Sequence, residues 1–540
     1  MRFSLLFLSL SLAYCSKSQT PVDVLHYRYE ISLNDKNDTI YGRAEITFIR
    51  TGNAFEFDLT GLNNKGYGMK IDQIADVNMS PGTIPHPLTL DQKGDKLQVQ
   101  LSLVSPDDKR ITTKGDTITI AIGYHGIPSD GLIISKNKYG HRTFFSDNWP
   151  NRAHNWIPCV DDPADKASVE FIVTAPDHYQ VISNGLQLEE RSLPGNMKMT
   201  WYKEDVPLPT KVMVIGVANF SVDKSGIVNN VPVYSWVFPE NKKEGFADYA
   251  PAKDILGFYM NYIGDYPYRK LANVQSKTIF GGMENASAIF YFENSVTGKK
   301  EQESLLAHEI VHQWFGNMAT EKSFAHLWLS EGFATYLTHI FLETKYGKDS
   351  LEKRMRKEQQ EVIEFVSLNH RPVVDTTSDY MQLLNANSYQ KGGWVLHMLR
   401  RQLGDSVFHK AIRTYYATYA GKNAATRDFQ KIVESVSGKN LEQFFTQWLY
   451  SPVNPELKIK WKWLPRTKKI QVDIEQEQED IVFNFPLEIE LIVGNKKMIL
   501  PLMIDAKTQR FSWPAPKKPS QVKADPNTSL LFEGKLVEVK

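Results

Sequence analysis

The sequence predicts a multidomain α+β protein: an antiparallel β region first, a mostly helical middle, and a small β-sandwich last. Three observations carry this. Apolar and polar residues alternate with period two from about residue 20 to 220, and again from about 453 to 540. Between about 222 and 450 the apolar spacing shifts towards 3.6, the period of a helix with one buried face. The third is length, since 540 residues exceed what one ordinary hydrophobic core organises. The boundaries read from these shifts are 1–19 for a leader, then 20–221, 222–451 and 452–540.

The leader, "MRFSLLFLSLSLAYCSKSQ", sets Arg2 before an apolar run from Phe3 to Tyr14, followed by polar residues. That run is too short to cross a bilayer as a helix, and the order basic, apolar, small is that of an export signal. The expected destination is the periplasm, the outer surface or the medium. "LAYC" resembles a bacterial lipobox, so Cys15 either carries a lipid anchor or leaves with the leader. The other cysteine is Cys159, and once Cys15 is processed no intramolecular disulfide is available. Asn37-Asp38-Thr39 fits a glycosylation sequon.

In 20–221, "VLHYRYEISLND" and "IYGRAEITFIRTG" alternate around the turn signal "DKND" and read as a hairpin. "KLQVQLSLV", "DTITIAIGYHG", "SVEFIVTAP" and "KVMVIGVANFSV" continue the β pattern. In 222–451, "ESLLAHEIVHQWF", "EGFATYLTHIFLETKYG", "SYQKGGWVLHMLRRQLG" and "NLEQFFTQWLY" read as helices. In 452–540, "ELKIKWKWL", "KKIQVDIEQ" and "PLEIELIVG" read as sandwich strands. Hydrophobic content of 42% with 23% charge is that of a folded chain, and a net charge of +1 offers no field to nucleic acid or an anionic membrane. The basic run Arg354–Lys357 is interleaved with acids and reads as a solvated helix face.

Chemistry concentrates in "AHEIVHQWFGN", where His308 and His312 stand four apart with Glu309 between them. Residues four apart share one helix face, so two imidazoles there can meet one zinc ion at about 2.0–2.1 Å. Glu309, one step round the helix, lies beside such an ion without ligating it, as suits a base acting on water. Two histidines alone do not hold catalytic zinc, so a third ligand is required. Glu331 opens the next apolar stripe (Phe333, Tyr336, Leu337, Ile340, Phe341), with 18 residues between it and His312. His326 and His339 are rivals by residue type, and spacing alone leaves all three open.

The order His308-Glu309-x-x-His312, then Glu331, resembles the gluzincin zinc metallopeptidases, specifically the aminopeptidase N family, which includes the bifunctional leukotriene hydrolase. Three further motifs agree. Gly281-Gly282-Met283-Glu284-Asn285 is similar to the family's GxMEN exopeptidase signature, and Tyr389-Gln390-Lys391-Gly392 to its Tyr-x-Lys-Gly. "WIPCVDDPADKASVEF" resembles a run in the family's first domain.

The resemblance implies a thermolysin-like catalytic domain with one zinc ion per chain, held by His308, His312 and Glu331. Glu309 is then the general base, and Tyr389 steadies the oxyanion opposite the metal. Glu284, within Gly281–Asn285, holds the free amine of a peptide substrate, because a carboxylate pairs strongly with an ammonium in a dry cleft. Trp314 and Asn317 support the first helix.

Three departures stand out. The family's second amine anchor falls near Asp147 to Trp149, where only Asp147 could substitute; Ala325 stands where relatives often have aspartate; and no counterpart is expected to the large C-terminal helical domain of many relatives. The function implied is a zinc aminopeptidase cutting the N-terminal peptide bond. Its alternatives are an epoxide hydrolase similar to the leukotriene enzyme, and a surface binding protein with structural zinc.

Overall fold

The computed structural model describes residues 22–77, 88–101, 115, 117–479 and 481–539. The leader and Cys15 lie outside the described residues.

The predicted hairpin forms from Asp23–Ser32 and Ile40–Ile49. Its loop is set by Asn34, whose Oδ1 accepts from the backbone N–H groups of Lys36 and Asn37. Alternation buries Tyr27, Tyr29 and Ile31 against the buried Ala44, Ile46 and Phe48 of the partner strand. A bulge between Val24 and His26 shifts the register so that Val24 is buried as well. Seven strands join in this sheet, antiparallel except where Asp23–Ser32 runs parallel to Ala167–Pro176. A long excursion separates those two strands, so no tight turn forces them antiparallel. The "WIPC" run is tied beneath this sheet, where Tyr29 donates to the carbonyl of Pro158 and the N–H of Val160 donates to Tyr27.

The middle region begins with a five-stranded sheet whose edge is the two-residue strand Gly282–Met283, antiparallel to Ala288–Phe292. The helices follow, among them Glu303–Val311, Trp328–Tyr346, Lys348–Asn369 and Gly392–Leu403. Trp328–Tyr346 is buried along most of its length and passes Gly392–Leu403 at backbone contact. A Cβ on Gly332 would come within 2.9 Å of the Gly392 backbone. The glycines after Lys391 therefore let the helix bearing Glu331 approach the one that follows Tyr389.

The last region is two sheets of four and three strands with buried inner faces, including Ile459, Val472, Ile489 and Leu491. It docks on the helices through polar contacts. Gln447 and the backbone of Asn484 exchange two hydrogen bonds of 2.7 and 2.9 Å, and His397 Nε2 lies 2.8 Å from the carbonyl of Thr528.

The first region meets the middle through a fully buried ion pair, Lys211 with Glu321. Replacing Lys211 with Met leaves the Glu321 charge buried alone, which is expected to cost about 3–5 kcal/mol. The double replacement Lys211→Met/Glu321→Leu should regain most of that loss. The urea denaturation midpoints of the two variants, read against the unaltered chain, check this.

Candidate metal centre

The helix Glu303–Val311 carries His308 on its last turn, and His312 caps its end with helical φ and ψ of −57° and −24°. The chain then leaves the helix through Gly316, whose φ of +111° suits glycine. A Cβ at Gly316 would also sit 2.3 Å from Ser330 Oγ and 3.1 Å from His312 Nδ1. Glu331 lies in the first turn of Trp328–Tyr346 and points back at the histidines.

The three side chains form a nearly equilateral triangle. His308 Nε2 and His312 Nε2 are 3.1 Å apart, and Glu331 Oε2 is 3.4 Å and 3.3 Å from them. Ligands at about 2.0–2.2 Å from a tetrahedral zinc stand about 3.3 Å from one another, so the triangle has the size that ion requires. His312 Nδ1 lies 3.1 Å from the carbonyl oxygen of Phe315, which can only accept, so this nitrogen carries the proton and Nε2 presents its lone pair. Burial disfavours a charged His312, yet Glu331, with Glu284 and Glu309, raises its pKa to about 10 in the metal-free chain. Burial also opposes ionisation of Glu331, but His312 and His308 hold it well below the usual carboxylate range. The site thus favours positive charge at its centre, which a dication held by these residues would supply in place of the proton. The residues fit a metal ion.

His326 and His339 are occupied elsewhere. His326 Nδ1 is 3.0 Å from Thr426 Oγ1, and His339 Nε2 is 2.6 Å from Glu358.

Around the triangle lies a cavity of about 270 Å³ whose walls include Gly281, Gly282, Met283, Glu284, His308, Glu309, Glu331 and Tyr389. Glu309 is buried, and a Cβ on Gly282 would stand 2.3 Å from its Oε1, so only glycine leaves room for this carboxylate. Burial, aided by Glu284 and Glu331, pushes the Glu309 pKa well above the ordinary carboxylate value. Glu284 is 5% exposed, and among the described residues its Oε1 has no hydrogen-bond partner. Its backbone is fixed by two donors, since its carbonyl accepts from Gln313 Nε2 at 2.8 Å and from Asn317 Nδ2 at 2.7 Å. Gln313 Oε1 also accepts from the N–H of Ser287 at 2.8 Å, which closes the clamp on this loop. Both polar side-chain atoms of Asn285 are buried without partners among the described residues, and Asn285 does not line the cavity. Trp314 donates to the carbonyls of Gly264 and Asp265, and so braces the far side of the first helix.

Tyr389 sits on a π-helical turn, Asn387–Lys391, with its ring stacked on His308 at 6.0 Å between centroids. Burial and the three carboxylates push its phenol pKa well up, so it stays a protonated donor.

Asp147 is not available to a ligand. It is fully buried, accepts from Thr278 Oγ1 and the N–H of Ile279 at 3.0 Å, and pairs with Arg152 at 2.9 Å. Trp149, two residues on, lines the cavity instead. Sequence reasoning did not single out Gln313, Gly316, Ser330 or Leu384. Gln313 and Gly316 left a trace, a polar residue and a glycine within an otherwise apolar run beside the zinc motif, whereas Leu384 sits in a loop without any pattern.

An HExxH helix, a glutamate from the next helix and a carboxylate beside them define a site of the metallopeptidase class. A profile of the Peptidase family M1 domain matches residues 248–448, and one of the Peptidase M1 N-terminal domain matches residues 23–212. Together they span more than two thirds of the chain, which belongs to peptidase family M1, a zinc metallopeptidase family.

Similar proteins include a probable aminopeptidase 2 of Sulfurisphaera tokodaii, 27% identical over 86% of this chain and 58% of the relative. Aminopeptidase M1-B of Oryza sativa subsp. japonica is 30% identical over 55% of this chain and 35% of the relative. The glutamyl aminopeptidase of Bitis rhinoceros is 28% identical over 58% of this chain and 35% of the relative. The chain thus spans between about a third and just over half the length of these relatives.

Because Gly316 both turns the chain and leaves room for Ser330 beside His312, Gly316→Ala should weaken zinc binding by about 10–100-fold. Competition with a chromogenic chelator measures this directly.

Proposed function

We propose that the chain is a zinc aminopeptidase that hydrolyses the N-terminal peptide bond of peptides, with one zinc ion held by His308, His312 and Glu331. The observation that carries this reading is the unpaired, buried carboxylate oxygen of Glu284 beside the metal triangle. An ionised carboxylate without a partner is costly to bury, and the free ammonium of a peptide is the partner it lacks. Aminopeptidase names among the relatives support the same reading.

A bound zinc ion would supply Lewis acidity, activating water and polarising the scissile carbonyl. The rest is done by side chains. Glu284 holds the ammonium, which sets the first peptide bond over the triangle and no later one. Glu309, its carboxylate seated against Gly282, takes the proton of the attacking water and passes it to the leaving amine. Tyr389 donates its hydroxyl hydrogen to the developing oxyanion. The leader supports export from the cytoplasm, and a lipid at Cys15 is the form in which the chain would stay at a membrane surface. No described helix is long and apolar enough to cross a membrane.

Glu309→Gln is expected to keep its zinc and lose about 10²–10⁴-fold in kcat. Tyr389→Phe should lose about 10²–10³-fold in kcat with little change in KM. Both are checked with amino-acid anilides, alongside metal content by emission spectroscopy.

Glu284→Ala should raise KM for free-amine anilides and remove their advantage over N-acetylated ones. If the unaltered enzyme cleaves the acetylated anilides as fast as the free ones, the exopeptidase reading fails.

A further inference from the structure

Once the groups assigned to chemistry are set aside, the cavity beside the metal triangle is lined by Trp149, Phe280, Met283, Leu305 and Leu384, with Gly281 and Gly282. Apart from the indole N–H of Trp149, which is buried away from solvent, every one of those side chains is apolar. Trp149 is almost fully buried and rigidly placed, its ring edge-on to Phe280 at 5.8 Å and to Phe324 at 5.9 Å. The polar groups of the cavity each have a task already: His308 and Glu331 face the metal, Glu309 the water, Glu284 the amine, and Tyr389 the oxyanion. Among the described residues, no lysine or arginine lines it. Arg152 stacks over Phe280 at 5.7 Å, but its guanidinium is paired with Asp147 and Asp130.

We propose that this cleft selects peptides whose first residue has an apolar side chain, with Trp149 and its apolar neighbours as the wall that side chain packs against. The inference rests on the aminopeptidase reading, and it names the substrate class of that same site. Two physical effects act together. An aliphatic or aromatic side chain leaves water for a surface that gains from covering it. An acidic side chain loses its hydration and faces three carboxylates, and a basic one loses its hydration where those carboxylates are already engaged with metal, water and amine. The cavity, about 270 Å³, is smaller than most sites for drug-sized ligands, as suits a site that takes the first residue of a peptide.

The test measures binding and not turnover. Zinc-loaded protein is titrated by calorimetry with the α-hydroxamates of leucine, phenylalanine, glutamate and lysine, and with N-acetyl-leucine hydroxamate. Leucine and phenylalanine hydroxamates are expected to bind about 10–100-fold more tightly than the glutamate and lysine ones. In Leu384→Arg, at a partly exposed position, the disadvantage of glutamate should shrink by about tenfold as a counter-charge enters the wall. Equal or tighter binding of the glutamate or lysine compound by the unaltered chain overturns the inference. The acetylated compound reads the underlying function separately. If it binds as tightly as free leucine hydroxamate, the amine anchor fails, while the ranking of side chains still decides the wall.

Discussion

Two imidazole nitrogens and a carboxylate oxygen held 3.1–3.4 Å apart are stable together only with positive charge among them, a proton in the empty site or a cation in its place. That arrangement is the constraint from which the rest of the middle region follows. The two histidines cost only one helical turn, because the helix places residues four apart on one face. The glutamate is harder, since it must arrive from another helix. Glycines at 332, 392 and 393 let that helix press against its neighbour at backbone contact. A Cβ at 332 or 392 would meet the facing backbone at 2.9–3.0 Å and push Glu331 away from the histidines.

The layer behind the triangle is built from short side chains and backbone carbonyls. The Phe315 carbonyl fixes which nitrogen of His312 is free, and Gly316 makes the turn that puts this carbonyl there. Gln313 and Asn317, from the same segment that follows the motif, reach across to hold the Glu284 carbonyl. One stretch of sequence therefore positions both His312 of the metal triangle and the backbone of Glu284, the proposed amine anchor. Gly282 joins the two in another way, because the loop that bears Glu284 also makes the seat of Glu309.

Crowding Glu284, Glu309 and Glu331 together is expensive in the empty protein and becomes favourable when positive charge enters. In the proposed function, a metal dication and a substrate ammonium would supply that charge from two sides. The same electrostatics explain why Tyr389, surrounded by carboxylates, keeps its proton and remains a donor. They also explain why the other walls are apolar: a further charged group here would need a partner of its own, as Asp147 has in Arg152.

The sequence by itself determined the order of β, helical and β regions, and the pairing of His308 with His312, because both depend on periods of two and 3.6 that local geometry enforces. It also marked Glu284 and Tyr389, through motifs whose residues lie close together in the chain. Only the tertiary structure decided among Glu331, His326 and His339, since that depends on which helix lands opposite the histidines. His326 is drawn off by Thr426, 100 residues along the chain, and His339 by Glu358 on the helix that follows its own. Likewise Asp147 reads as a free carboxylate in the sequence, and becomes a buried structural one because Arg152, Thr278 and Ile279 converge on it. Trp149 and Leu384 become walls of one cavity though well over two hundred residues separate them. Periodicity records which face of an element is buried, but which elements meet is settled by long-range packing that no local pattern carries.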